Sequence, residues 1–571
     1  MAIDNKTTRV CVIGAGFYGL EAAKTYLQVD PTISLTVLEA EDSLGGTWSR
    51  RRIYPTLRAQ QKYGVYEYSD FPMDTTGVAD PHTTFIPAEK LQEHMEQYAV
   101  RFGIKERIRF NAKVTKLERA TGGGWNIWIQ GDTAPSTFDK VIVGTGLTSN
   151  PSLPELDTTG FEPPAFHTRE LGAHYAWLTS PEVSTITIYG GGKSAIDAMY
   201  MCVKNGKQVN WIIRPDSVGN GAAPQLAADI LGRNTNDVIS SRMGAMLQPQ
   251  LDSCEGWWYR FLHSGSGLGY WLHWKYWGWL SSILMAYAGY DKSENMARLR
   301  PKNVDHAAFW VNVPTSITNQ PESIAFIHSG EKVKVIRSEI TALEGTYVVL
   351  SDGERLHTDA VVFATGYNKS EPIYSPELAA ELGVVTDLAT YPPHLREKWD
   401  NLDMLADQEV VRLFPRLANP PMPNNKPVKN APCRLYKDIL PPELARKNDR
   451  SLVFAGAVGV ASTAIFSGPS ALWGVAWLTD NLSLDELGVS QAEIEWEIAI
   501  RVAFGRRRYT VAGVYGTYAL FEWLPKIDAL LMQLGVQPRR IKSVLKDFFL
   551  PYQASHYRRI VDEWMQLRGL K

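Results

Sequence analysis

A chain of 571 residues can hold two or three domains and a large buried core. With 44% hydrophobic and 21% charged residues it is not disordered by composition, and Lys+Arg 59 against Asp+Glu 61, a formal net charge of -2, gives no electrostatic footing for nucleic acid. Four cysteines, at 11, 202, 254 and 433, form no CxxC pair and have no His cluster beside them, so no metal site or dithiol pair is expected and a reduced, cytoplasmic setting is.

The first apolar run, Arg9–Ile13, reads as a strand and leaves no room for a cleaved signal peptide. Gly14, Gly16 and Gly19 follow in GxGxxG spacing, with Phe17 inside the turn and a helix expected over 20–27. Such a turn lets backbone approach a pyrophosphate, and the helix N-terminus offers it unpaired N–H groups. The next strand, Ser34–Leu38, ends in Glu39, a carboxylate placed to accept hydrogen bonds from ribose hydroxyls and to repel a 2′-phosphate. This site is therefore read as the FAD site.

The same grammar returns further along. A strand over 184–189 precedes Gly190, Gly192, Lys193, Ser194 and Ala195, a helix follows, and the strand Gln208–Ile213 ends in Arg214 where the first copy has Glu39. A guanidinium suits a 2′-phosphate, and Lys193 adds a second cation, so this site is read as taking NADPH.

Residues 257–290 hold twelve Trp, Tyr and Phe side chains. His273 and Lys275 interrupt the apolar run too early for a bilayer-spanning helix. The favoured reading packs these aromatics within a helical insert or along a substrate cavity; the other is contact with a membrane surface, which would make the protein peripherally membrane-bound. Strands are expected over 331–336 and 347–350, with a turn at Asp352 and Gly353. The proline-rich stretch 419–427 reads as a loop or lid, the chain from Asp480 onward as helical, and the run Arg506, Arg507, Arg508 as a solvated face.

The expected fold is α/β, with two Rossmann-like dinucleotide-binding domains, the NADPH domain inserted in the FAD domain, and helical extensions. Its boundaries are 1–160 for the first part of the FAD domain and 161–357 for the NADPH domain with its Trp-rich insert at 220–300. Residues 358–571 hold the FAD-domain return and a C-terminal helical region.

With these residues in place the chain resembles the class B flavoprotein monooxygenases, the flavin-containing and Baeyer–Villiger monooxygenases, over most of its length. LEAEDSLGGTW at 38–48 is similar to that family's LE…GGTW segment, which implies flavin contact for Ala40, Gly46, Thr47 and Trp48. Tyr54 to Leu57 and Asp70 to Pro72 resemble its Y-x-x-L…DFP stretch, so Tyr54 joins the cofactor set. The segments ending in Gly146 and in Ala364, Thr365 and Gly366 resemble the family's returns between domains, and Gly456 its last FAD turn, followed by a helix from near Ser467. FEPPAFH at 161–167 is similar to the FxGxxxH mark, with Pro163 at the glycine and Leu171 where Baeyer–Villiger members carry Trp. His167 is thereby a candidate for coupling NADPH binding to flavin reduction. Gln60 stands where the family places Asn or Asp, and Arg300 in a loosely similar Arg-Pro segment is a candidate cation beside the oxygenating flavin.

The resemblance implies an NADPH- and FAD-dependent monooxygenase that passes one atom of O2, through a C4a-(hydro)peroxyflavin, to a small apolar organic substrate. Hydroxylation or heteroatom oxygenation is favoured; the alternatives are Baeyer–Villiger conversion of a ketone and a redox-neutral rearrangement. A disulfide reductase shares both nucleotide turns but needs a cysteine pair beside the flavin, and none follows the first helix. Substrate and oligomeric state are not legible.

Overall fold

The computed structural model describes residues 7–215, 225–226, 229–230, 233–300, 306–310, 316–421, 428–510 and 513–570. Two five-stranded parallel sheets organise them. The first runs Leu452–Phe454, Lys140–Val143, Arg9–Ile13, Ser34–Leu38, Ile108–Arg109. Its central strand carries Val10, Cys11 and Val12 out of solvent, because a parallel strand covered on both faces needs a continuous apolar run. Helix Phe17–Val29 packs on one side of helix Thr463–Leu478, which is buried from Ala464 to Leu478. That second helix starts four residues before the expected Ser467 and carries Pro469 inside.

The second sheet runs Ala165–His167, Ala360–Phe363, Thr185–Tyr189, Gln208–Ile213, Val333–Arg337. It is an insertion, since strand Leu452–Phe454 returns beside Lys140–Val143 to complete the first sheet. The expected domain junction at 357/358 falls one strand too early: Ala360–Phe363 lies between two strands of the second sheet, and the Asp359 carboxylate accepts the N–H groups of Ser184 and Thr185 (2.7 and 2.8 Å). Strands Val333–Arg337 and Tyr347–Leu350 form close to where the alternation places them.

The C-terminal region contributes helices Gln491–Arg508, Trp523–Gln533, Val544–Phe549 and Ile560–Leu567. Helix Gln491–Arg508 lies along helix Pro393–Leu413, which overturns the solvated reading of its basic run. Arg506 pairs with Asp403 (2.9 Å) and Arg507 with Asp407 (2.5 Å) across that interface. Arg508 is 0% exposed, donates to the Phe309 carbonyl and to Gln248 Oε1 (2.6 Å), and stacks on the Phe309 ring. A facing helix supplied the carboxylates, which no local pattern announces. Residues 422–427 of the proline-rich stretch lie outside the described residues.

The aromatic segment forms helices Trp257–His263 and Gly267–Ala288. Neither lines the two cavities described below. Trp257, Trp258, Trp271, Trp274 and Trp279 are exposed, so the cavity-lining expectation fails, because the helices bury a different stripe, Gly269, His273, Trp277 and Ser281. Among the described residues no helix is long and apolar enough to cross a membrane.

Candidate active site

Each sheet ends in a glycine turn braced by its neighbouring strand. Gly14 has φ 101°, and a Cβ there would lie 2.5 Å from the Gly144 carbonyl oxygen. Gly190 has φ 132°, and its Cβ would lie 2.2 Å from the Ala364 oxygen. Only glycine satisfies both conditions. Gly16 and Gly192 cap the two following helices with no side-chain cap, so the first N–H groups are left for a ligand.

A cavity of ≈ 720 Å³ opens over the first turn. Gly14, Gly16, Phe17, Glu39, Ala40, Gly46, Thr47, Trp48, Gly146 and Gly456 all line it. Gly19 does not; it brings helix and strand together, its Cβ position falling 1.9 Å from the Gly14 oxygen. Glu39 is buried at the strand end, and its carboxylate accepts the N–H groups of Ala15 (2.8 Å) and Glu41 (2.9 Å). Burial raises its pKa, offset in part by those N–H donors. Gly14, Gly16 and Gly46 line the cleft with bare backbone that packs too closely for side chains at 14 and 46, and the Glu39 carboxylate stands in the same lining: the residues fit an adenine–flavin dinucleotide.

A second cavity of ≈ 460 Å³ meets the first along a wall they share, including Thr47, Trp48, Arg52, Tyr66, Arg169 and Tyr518. Its remaining lining is mostly apolar, with Tyr54, Leu57, Ile239, Ile317, Val460 and Phe521. Gln60 stands in this wall, its Oε1 accepting the Ile317 N–H (3.0 Å), and Gln61 beside it donates to the Ala461 carbonyl. From the second turn come Lys193 and Ser194; the Lys193 ammonium pairs with Asp197, whose carboxyl burial pushes up in pKa against the pull of Lys193.

Other expected residues stand back from both cavities. Ala195 packs in the second core, Ala364 braces Gly190, and Thr365 and Gly366 bond Ser152. Arg214 is exposed at its strand end. His167 is buried at the end of Ala165–His167, with Nδ1 accepting the Arg169 N–H (3.1 Å) and the ring against Tyr367. Burial lowers its pKa to about 4, the Gly366 carbonyl opposing, so the ring is neutral near pH 7. Arg300 is a half-exposed partner of Asp291 (2.7 Å), and the structure does not bring it to the site.

A charge cluster at the junction escaped the sequence reading. Glu41 accepts from Arg52 (2.7 Å) and from Arg169 (2.8 Å), and Arg52 also donates to the Thr148 carbonyl (3.1 Å). Burial would raise the Glu41 carboxyl, but Arg52, the Ser49 hydroxyl and Arg169 hold it below the usual carboxylate range. Arg169 sits 128 positions from Glu41, a separation no motif spans.

A cleft built for an adenine–flavin dinucleotide that shares a wall with an apolar cavity fits a flavoprotein oxidoreductase. Residues 7–259 match the family described as FMO-like, flavin-binding monooxygenase-like. The chain is 34% identical to the FAD-dependent monooxygenase rstn6 of Aspergillus nomiae, covering 98% of this chain and 99% of that one. It is 32% identical to the FAD-dependent monooxygenase DEP4 of Fusarium langsethiae, over 99% and 96%. Among solved structures, cyclohexanone-bound cyclohexanone monooxygenase aligns with TM-score 0.57 at 15% identity, covering 93% of this chain and 98% of that one. The chain belongs to the FAD-dependent monooxygenases.

Proposed function

We propose that this monooxygenase takes its electrons from NADPH and transfers one atom of O2 to a small apolar organic substrate, by hydroxylation or heteroatom oxygenation. The observation that carries this reading is the shared wall: the flavin cleft and the apolar cavity meet at Thr47, Trp48 and Tyr518, while Lys193 and Ser194 approach from the second turn. Bound FAD supplies the redox and oxygen chemistry, so no acid–base dyad is needed from the protein.

The protein's own residues supply position and dryness. Arg214 and Lys193 attract the 2′-phosphate, Arg52 and Arg169 hold the junction through Glu41, and Ile239, Ile317, Val460 and Phe521 exclude water. Gln60 and Gln61 place amide groups in the wall of this cavity, where an amide can orient an oxygen-bearing ligand. His167 acts as a neutral brace beneath this site.

The test is turnover under ¹⁸O₂ with NADPH on a panel of amines, sulfides and ketones, with products read by mass spectrometry. One labelled atom in an amine or sulfide product supports the proposal. Lactone or ester formation from ketones alone moves the reading to Baeyer–Villiger insertion, and an unlabelled isomer of the substrate moves it to a redox-neutral rearrangement.

A further inference from the structure

Helix Gly267–Ala288 turns large apolar side chains outward. Its buried stripe is Gly269, His273, Trp277, Ser281, Leu284 and Ala288, anchored where His273 donates to the Leu247 carbonyl (2.9 Å) and the Ser281 hydroxyl accepts the Ala308 N–H (3.0 Å). Its outer stripe is Leu268, Trp271 (52% exposed), Leu272, Lys275 and Trp279. The preceding helix adds Trp257 (63%) and Trp258 (60%). An ordinary surface helix carries polar residues on its outer face, and an exposed aromatic stripe along it marks a contact surface.

Charge says what it contacts. Between Glu255 and Asp291 the chain has no Asp or Glu, and its full charges are Arg260 and Lys275, both exposed. A second exposed apolar patch, Val544 (76%), Leu545 (72%) and Phe549, is flanked by exposed Lys542 and Lys546. Both patches adjoin the short helix Arg242–Met246: His263 donates to the Met246 carbonyl (3.0 Å), and Arg242 pairs with Asp547 (3.0 Å). Tryptophan favours the bilayer interface, and cations with no intervening acid favour an anionic headgroup layer.

We propose that the aromatic helix pair 257–288 docks this protein on an anionic lipid surface, lying in the interface, with helix Val544–Phe549 as a second contact. The surface is rooted near the active site, since Ile239 lines the apolar cavity just ahead of Arg242–Met246 and Gln250 donates to the carbonyl of Phe521, another lining residue (3.3 Å). The proposal does not depend on which reaction the flavin performs.

It is tested by flotation of the FAD-loaded full chain with vesicles of phosphatidylcholine, with and without phosphatidylserine as the anionic lipid. Binding is expected with the anionic vesicles and to weaken in high salt. Trp257→Ser/Trp271→Ser and, separately, Lys275→Glu should each weaken it about ten-fold while the flavin spectrum and melting temperature stay at parental values. Leu545→Ser/Phe549→Ser, on the other element, should weaken it as well. Absence of binding to either vesicle overturns the proposal. So does binding that the tryptophan variants leave unchanged, or a stable dimer, seen by light scattering, that Trp271→Ser dissociates.

Discussion

Glu39 and Arg214 follow equivalent strands of two parallel sheets, and the proposed function rests on their opposite charges to sort two similar dinucleotides. Loss of the guanidinium removes charge-assisted hydrogen bonds worth about 1.5–3 kcal/mol. Arg214→Ala should therefore raise the KM for NADPH by about 10- to 100-fold, with little change in kcat at saturation; steady-state kinetics with NADPH and NADH check it, and an unchanged KM moves the 2′-phosphate site elsewhere. His167 makes a different prediction. Its folded pKa of about 4 lies below the ordinary 6.5, so as pH falls the unfolded chain takes up the proton first. The stability it contributes is whole above about pH 6.5 and is lost as pH falls toward 4. His167→Gln should flatten the melting-temperature profile between those values, as a thermal scan across pH would show, while leaving flavin reduction by NADPH without an inflection of its own near 6.5.

At the scale of the element, each dinucleotide site is a strand, a glycine turn and a helix, closed by the loop after the adjoining strand: Gly144 against Gly14, Ala364 against Gly190. The second closure explains why strand Ala360–Phe363 belongs to the inserted sheet, since its C-terminal end must stand beside the turn it braces. A methyl group on Gly190 meets a backbone oxygen at a positive φ, a combination that costs about 1–3 kcal/mol or forces the turn open. Gly190→Ala is expected to keep its FAD, counted by absorbance, and to lose most of its rate of reduction by NADPH in stopped flow. Loss of FAD as well would show that the two turns are not independent.

Across the whole molecule, helix Gln491–Arg508 joins the insert through buried guanidinium groups, Arg501 to Asp252 (2.6 Å) and Arg508 further along. Arg508 reaches Phe309 and Gln248, and its charge also bears on buried Glu522. Removing one partner of such a buried network typically costs about 3–5 kcal/mol, because the remaining polar groups lose their compensation. Arg508→Met should lower the thermal midpoint by several degrees, followed by release of flavin fluorescence. Arg506→Ala, at a pair one-third exposed, should cost under about 1 kcal/mol.

The dinucleotide turns, their order and the charges that end their second strands were legible along the chain, because each is a local pattern of strand, glycine spacing and terminal residue in which chemistry and sequence distance coincide. Lys193 lies inside the second turn and was legible with it, whereas Gln60 was singled out only by the family resemblance. What tertiary structure alone decided depends on residues far apart in sequence: the Glu41, Arg52 and Arg169 cluster at the shared wall, the carboxylates of Pro393–Leu413 that take up Arg506 and Arg507, the separation of Arg300 from the cavities, and the outward turn of the tryptophans. A side chain's composition states what it can bond, but only packing settles which partner arrives and which face is left to solvent.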